Sequence, residues 1–117
     1  MKILLKRAYE PPAAADGQRI LVDRLWPRGV SKDEARVDHW IKEVGPSTAL
    51  RQWFGHDPAK WDEFRTRYRH ELKGSTAFAE LQARAREGTT TLVYAARDEA
   101  HNNAVVLKAL LEHGDRA

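Results

Sequence analysis

The sequence contains no cysteine, which excludes disulfides, zinc–thiolate centres and cysteine nucleophiles together. It also lacks any apolar run approaching the ~20 residues that a membrane-spanning helix needs. The opening stretch "MKILLKRAYEPP" holds an apolar run only from Ile3 to Leu5, too short for the core of a signal peptide. There is no Gly-rich phosphate loop, no nucleophile elbow and no HExxH pair of histidines. The 5 histidines are scattered and make no metal site by spacing, so neither a metal nor a cofactor is expected. A strong excess of one charge is missing too. The 20 Lys and Arg stand against 17 Asp and Glu, a formal net charge of +3. A dedicated nucleic-acid binder concentrates a larger excess on one face.

What is present is a globular composition. With 117 residues, of which 42% are hydrophobic, the chain is long enough for one domain, 1–117, with its own core. The charged fraction, 32%, exceeds the roughly one-quarter usual for such domains, with mixed signs. A soluble, cytoplasmic protein is expected.

Hydrophobic periodicity and capping residues predict the elements. Residues 2–8 read as a strand, "EPPAAADG" as an exposed loop, and Arg19–Leu25 as a second strand whose non-alternating run Ile20, Leu21, Val22 fits burial on both faces. Ser31 and Glu34 have capping-box spacing. Residues 37–44 fit either a helix or an extended segment. Ser47 is a candidate N-cap for a helix carrying Leu50, Trp53 and Phe54 on one face. Asp57 and Pro58 open the clearest helix, with Trp61, Phe64, Tyr68 and Leu72 as its stripe. Trp40 is placed in the core with them. A helix over 75–87, a buried strand in "TTTLVYAA" and a final helix over 99–113 complete the chain. Strands separated by helices predict a small Rossmann-like three-layer α/β domain with a short, largely parallel sheet and about five helices. The first connection is too short for a helical crossover, which leaves the first strand unplaced.

In open α/β sheets, ligands collect at the carboxyl ends of the strands, and two such junctions are more polar than a turn requires. In "VDRLWPRG", Asp23 and Arg24 close a strand and Arg28 follows; they fit a strand-end salt bridge, or a bidentate clamp for phosphate or carboxylate. In "LVYAARDEAHNNAVVL", Asp98 serves as N-cap and Glu99 complements the helix dipole. Arg97, His101, Asn102 and Asn103 stay unexplained. Asn103 falls on the inward stripe with Leu107, Leu110 and Leu111, where an unsatisfied amide costs about 1–3 kcal/mol. His101 lies in the first turn, where the helix dipole favours a neutral ring suited to proton exchange. "GPSTALR" offers Ser47 and Arg51 as an anion site or an ordinary cap, and His56 precedes a helix start without a structural reason. The basic run "RTRYRHELK" alternates with acids and fits a solvated helix face better than a nucleic-acid surface.

Three long stretches, "GQRILVDRLWPRGVSK", "PSTALRQWFGHDPAKWDEFRTRYRHEL" and "TLVYAARDEAHNNAVVL", resemble the YeaO-like branch of the uncharacterised domain-of-unknown-function family 488. The resemblance implies a Rossmann-like α/β domain of small bacterial proteins, without an established reaction. The family's recurring polar positions would fall on Asp23, Arg24, Arg28, Ser47, Arg51, His56, Asp98 and Asn102 or Asn103. The chain departs from the wider family, which has Asp-x-Arg at a strand end and cysteines in a later motif. Here Arg24 follows Asp23 directly and no cysteine is present, so cysteine chemistry does not carry over.

The expectation is therefore a small-molecule enzyme or binder for an anionic ligand such as a nucleotide or phosphorylated metabolite. Arg24, Arg28, Ser47, Arg51, His56, Asn102 and Asn103 would bind it, while His101, Asp23 and Asp98 would serve any hydrolase or transferase chemistry. A nucleic-acid-linked regulator and a non-catalytic partner-binding domain are the alternatives. Neither the oligomeric state nor the substrate is legible.

Overall fold

A computed structural model describes residues 1–113. Four strands, β1 (Ile3–Arg7), β2 (Gln18–Leu21), β3 (His39–Trp40) and β4 (Thr90–Tyr94), form one sheet in the order β1-β4-β2-β3. Every pairing is parallel. Five helices complete the fold: α1 (Lys32–Ala35), α2 (Thr48–Phe54), α3 (Trp61–Leu72), α4 (Thr76–Ala85) and α5 (Asn103–His113). The result is a small Rossmann-like α/β domain. None of the described helices is long and apolar enough to cross a membrane.

The last strand in sequence lies between the first two. Leu5 and Ile20 both register against Leu92, so β1 sits at the sheet edge and its short return spans β4. That return contains a 3-10 turn, Ala14–Asp16, and then Gly17 at φ 64°. A Cβ at Gly17 would collide with the carbonyl oxygen of Thr89, so glycine is needed for both the left-handed turn and the close approach.

The strand alternation sorts side chains onto two unlike faces. Ile20, Val22, Leu92 and Tyr94 face the large core, shared with Leu50 and Phe54 of α2, Phe64 and Tyr68 of α3, Leu81 of α4 and Leu107 of α5. Tyr68 is fully buried, and its hydroxyl donates to the Val44 carbonyl. The ring thus enters the core without leaving a polar atom unpaired. Burial pushes the Tyr68 hydroxyl pKa well up. The opposite face is thin: Ala8, Leu21 and Val93 pack with Trp26 and Val37, and charged side chains lie beside them. Asp16 accepts from Lys6 at 3.1 Å and from Arg19 at 2.7 Å. Arg19 also donates to the Ala35 carbonyl through Nε and Nη2.

Several sequence expectations need correction. The loop before β2 is not wholly exposed, because Asp16 is buried between the cations of β1 and β2. β2 ends at Leu21 rather than Leu25, and Leu25 is 62% exposed. The ambiguous segment resolves into β3 and a 3-10 turn, Lys42–Val44. Trp40 is not core: it lies at the outer edge of the sheet, edge-on to Trp26 at 5.4 Å, its indole N–H donating to the Asp23 carbonyl. Trp53 and Trp61 are only half-buried. The capping assignments Ser31, Ser47 and Asp57 all accept the expected backbone N–H, and Ser75, expected inside its helix, caps it instead. The final helix starts at Asn103, four residues later than expected.

Candidate functional site

The parallel strands all end on the same side, and the segments after β2 and β4 diverge there. Between them and α2 lies an open cleft of about 770 Å³, within the range typical of small-molecule sites. Its lining includes Asp23, Arg24, Arg28, Arg51, His56, Asp98, His101, Asn102 and Asn103. Nine of the ten residues singled out from the sequence thus meet at one place. Ser47 does not line the cleft. Its hydroxyl caps α2 by accepting from Leu50 N–H at 3.1 Å and donates to Glu71 at 2.5 Å, so capping accounts for it.

Asp23 occupies the floor. Leaving the sheet just after β2, its carboxylate accepts the Ala95 N–H at 2.9 Å and the Asn103 side-chain amide at 3.0 Å. Burial raises the Asp23 pKa. The two hydrogen bonds and the nearby charges of Arg51 and His56 oppose that effect without overcoming it. No lysine or arginine forms an ion pair with Asp23 among the described residues.

The arginines are held by different means. Arg24 Nε donates to the carbonyls of Gly45 at 3.1 Å and Pro46 at 2.9 Å, fixing the chain that leads into α2. A Cβ on Gly45 would approach the Arg24 backbone nitrogen to 2.9 Å, so this contact requires glycine. Arg51, one turn into α2, has a buried Nε with no hydrogen-bond partner. Such orphaned donors are rare in native structures. Arg28 is exposed on the rim; its carbonyl accepts from Tyr9 Oη at 3.1 Å. The Arg7 guanidinium lies 5.0 Å from the Tyr9 ring centre and donates through Nε to the Ala96 carbonyl. Arg7 and Tyr9 therefore tie together the two lips of the cleft.

The junction after β4 differs from its expected form. Asp98 does not cap α5. Its Oδ1 accepts the N–H groups of Ala100 and His101 at 2.9 and 3.0 Å, closing a separate turn. Asn102 is the cap: its Oδ1 accepts from Val105 N–H at 3.1 Å, and its Nδ2 donates to the Asp98 carbonyl. Asn103 Nδ2 donates to the Val22 carbonyl and to Asp23, both at 3.0 Å. This amide meets the strand end beneath it, satisfying the inward polar group that the stripe implied. His101 Nδ1 donates to Asp98 Oδ2 at 2.9 Å, and its ring stands edge-on to Trp61. The hydrogen bond from His101, with those from the backbone, holds the Asp98 carboxyl below its ordinary pKa. His56 has φ 56°, directly after Gly55 at φ 55°. This left-handed pair brings an exposed imidazole onto the cleft.

Chemically, the lining combines four arginines (24, 28, 51 and 97) and two histidines with two aspartates. Its other walls are apolar, with Leu25, Trp26, Pro27, Phe54 and Phe64. Among the described residues, no three His, Asp or Glu side chains gather as a metal centre would need. Sequence inspection overlooked Tyr9 and Gln52 as lining residues and assigned Phe64 to packing alone. A Tyr two residues beyond a strand carrying Arg7 gave a weak signal; Gln52 gave none.

Fold and cleft define a small parallel α/β domain with its polar groups gathered at the carboxyl edge of the sheet. The chain belongs to the DUF488 family: residues 2–116 match the group described as the "Inactive DUF488-N3 subclade". It is 46% identical over 110 residues to the uncharacterized protein Rv3073c of Mycobacterium tuberculosis, covering 94% of this chain and 93% of that protein. It is 41% identical over 112 residues to the uncharacterized protein YeaO of Escherichia coli, covering 92% and 94%. The likeness to the YeaO-like branch is thereby borne out. No solved structure matches the chain.

Proposed function

We propose that this domain binds a small anionic molecule in the cleft, with Arg24, Arg28 and Arg51 as its principal contacts. The observation that carries this reading is the buried Arg51 Nε without a partner, near a carboxyl, Asp23, with which it forms no ion pair. A half-buried guanidinium whose Nε is shielded from water and unbonded is stabilised by an incoming oxyanion, which accepts charge-assisted hydrogen bonds from the planar fork. Binding without turnover is the primary form of the proposal. The description of the matched subclade as inactive supports it, as does the absence of cysteine where the wider family resembles a cysteine-bearing motif.

A second reading, hydrolase or transferase chemistry, is favoured by one contact. With Nδ1 donating to Asp98, a neutral His101 presents Nε2 as a proton acceptor at the cleft. A nucleic-acid partner has less support. Arg65 and Arg67 on α3 pair with Asp62 and Glu63 at 2.5 and 2.9 Å, as on an ordinary solvated face.

Titration calorimetry with inorganic phosphate and pyrophosphate tests the proposal. Binding is expected in the wild type, weakened about tenfold or more in Arg51→Gln, in line with the ~1.5–3 kcal/mol of a hydrogen bond to a charged group. If Arg51→Gln binds as tightly as the wild type, Arg51 is not an anion ligand and the reading fails.

A further inference from the structure

On the reading that the cleft binds an anion, we infer that its ligand carries hydrogen-bond donors beside the charge, as a phosphorylated sugar or polyol does. The floor supplies acceptors as well as donors. Each Asp23 oxygen takes one protein donor, the Ala95 N–H on one and the Asn103 amide on the other. A carboxylate offers about four acceptor positions, so each oxygen keeps one. His101 is fixed with Nδ1 toward Asp98, which leaves Nε2 as an acceptor when the ring is neutral. Arg51 Nε is the buried, unpaired donor. Acceptors and donors thus line one cleft, and a complementary ligand must bring both.

The alternatives fit less completely. A bare oxyanion such as inorganic phosphate has no donors beyond the one or two P–OH groups on the charged centre itself; it satisfies Arg51, but bringing those groups to Asp23 sets like charge against that carboxylate. An aromatic group bearing phosphate covers Phe54 and Pro27 yet strips water from the same acceptors without replacing it. Hydroxyl groups answer Asp23 and His101, and the C–H faces of a polyol cover the apolar wall. The partial burial of Asp23, which also raises its pKa, makes a donor there count for more than it would at an exposed carboxylate.

Calorimetry at one pH and ionic strength with inorganic phosphate, phenyl phosphate, glycerol 3-phosphate and glucose 6-phosphate separates these ligands. At least one polyol phosphate is expected to bind about tenfold or more tightly than both inorganic and phenyl phosphate, as a site built around donors discriminates. Asp23→Asn should reduce that ratio to about threefold or less. His101→Phe, which keeps a ring against Trp61 and removes Nε2, should also reduce it. Phenyl phosphate binding as well as the polyol phosphates, or a ratio unchanged in both variants, overturns the inference while leaving anion binding intact. Failure of all four ligands to bind the wild type overturns the anion-binding reading and this inference with it.

Discussion

Asp16 and Asp23 are both carboxylates drawn back from water, on opposite sides of the same short sheet, and their pKa values are displaced in opposite directions. Burial pushes each of them up. At Asp16, the Ala13 N–H and the two cations Lys6 and Arg19 outweigh burial and bring the net pKa down. At Asp23 the donors are a backbone N–H and an amide, and burial prevails. Where charge is only structural, the fold closes the network on itself, down to the Thr91 hydroxyl that donates to the Asp16 carbonyl. Where the strands end, the network is left incomplete, with a half-buried carboxyl and an unpaired guanidinium nitrogen in one cleft. The difference separates the two places better than charge density does, since charged clusters occur at both.

The largest expected effect breaks the closed network. Arg19→Met removes the 2.7 Å partner of Asp16 and both donors to the Ala35 carbonyl. Removing one member of a buried ion pair costs about 3–5 kcal/mol, so urea denaturation should show a loss of that order. Stability within about 1 kcal/mol of wild type would show that the thin face tolerates an open network, and the contrast with the cleft would lose its basis.

Next in size is a pair of pH dependences of opposite sign. Asp16, with its folded pKa depressed, contributes stability that is present above the ordinary carboxylate range and lost as pH falls through the folded value. The advantage of wild type over Asp16→Asn should therefore shrink on acidification from about pH 7 to about pH 3. Asp23, with its folded pKa raised, contributes stability below the ordinary range that is lost as pH rises through the folded value. Wild type should accordingly decline relative to Asp23→Asn as pH rises toward neutrality. Denaturation midpoints for the three proteins across that range provide the check; parallel curves would contradict the opposed shifts.

The same contrast explains what the sequence made legible. Strand, helix and cap positions followed from local chemistry: Ser31 with Glu34 and Ser47 with Leu50 meet within one turn. The cleft was foreseeable because parallel strands bring their carboxyl ends together wherever they fall in the chain. The placement of β4 between β1 and β2 was not, since pairing Leu5 and Ile20 with Leu92 depends on contacts far apart in sequence. Asp16 was hidden by a Pro- and Ala-rich loop. Its burial was encoded elsewhere, in Lys6 and Arg19, which share the parity of Ala8, Leu21 and Val93 and needed a counter-charge. Asn102 takes the capping role expected of Asp98 because both can cap, and only the chain's path after β4 distinguishes them.

The smallest expected effect lies where neither kind of network exists. Glu63 pairs with Arg67 at 2.9 Å across one turn of α3, but both side chains are about half exposed, at 54% and 50%. Water screens such a pair, and fixing two long side chains offsets much of the attraction, so exposed helix pairs contribute only about 0.3–0.5 kcal/mol. Arg67 also lies 4.2 Å from the Trp53 ring centre, a contact that persists without the acid. Glu63→Gln should thus shift the urea midpoint by no more than that small free energy, less again at high salt. A loss comparable to that of Arg19→Met would mean that exposed and buried charge act alike in this fold. Burial would then cease to be the property that sets the networks on the two faces of the sheet apart from a solvated helix pair.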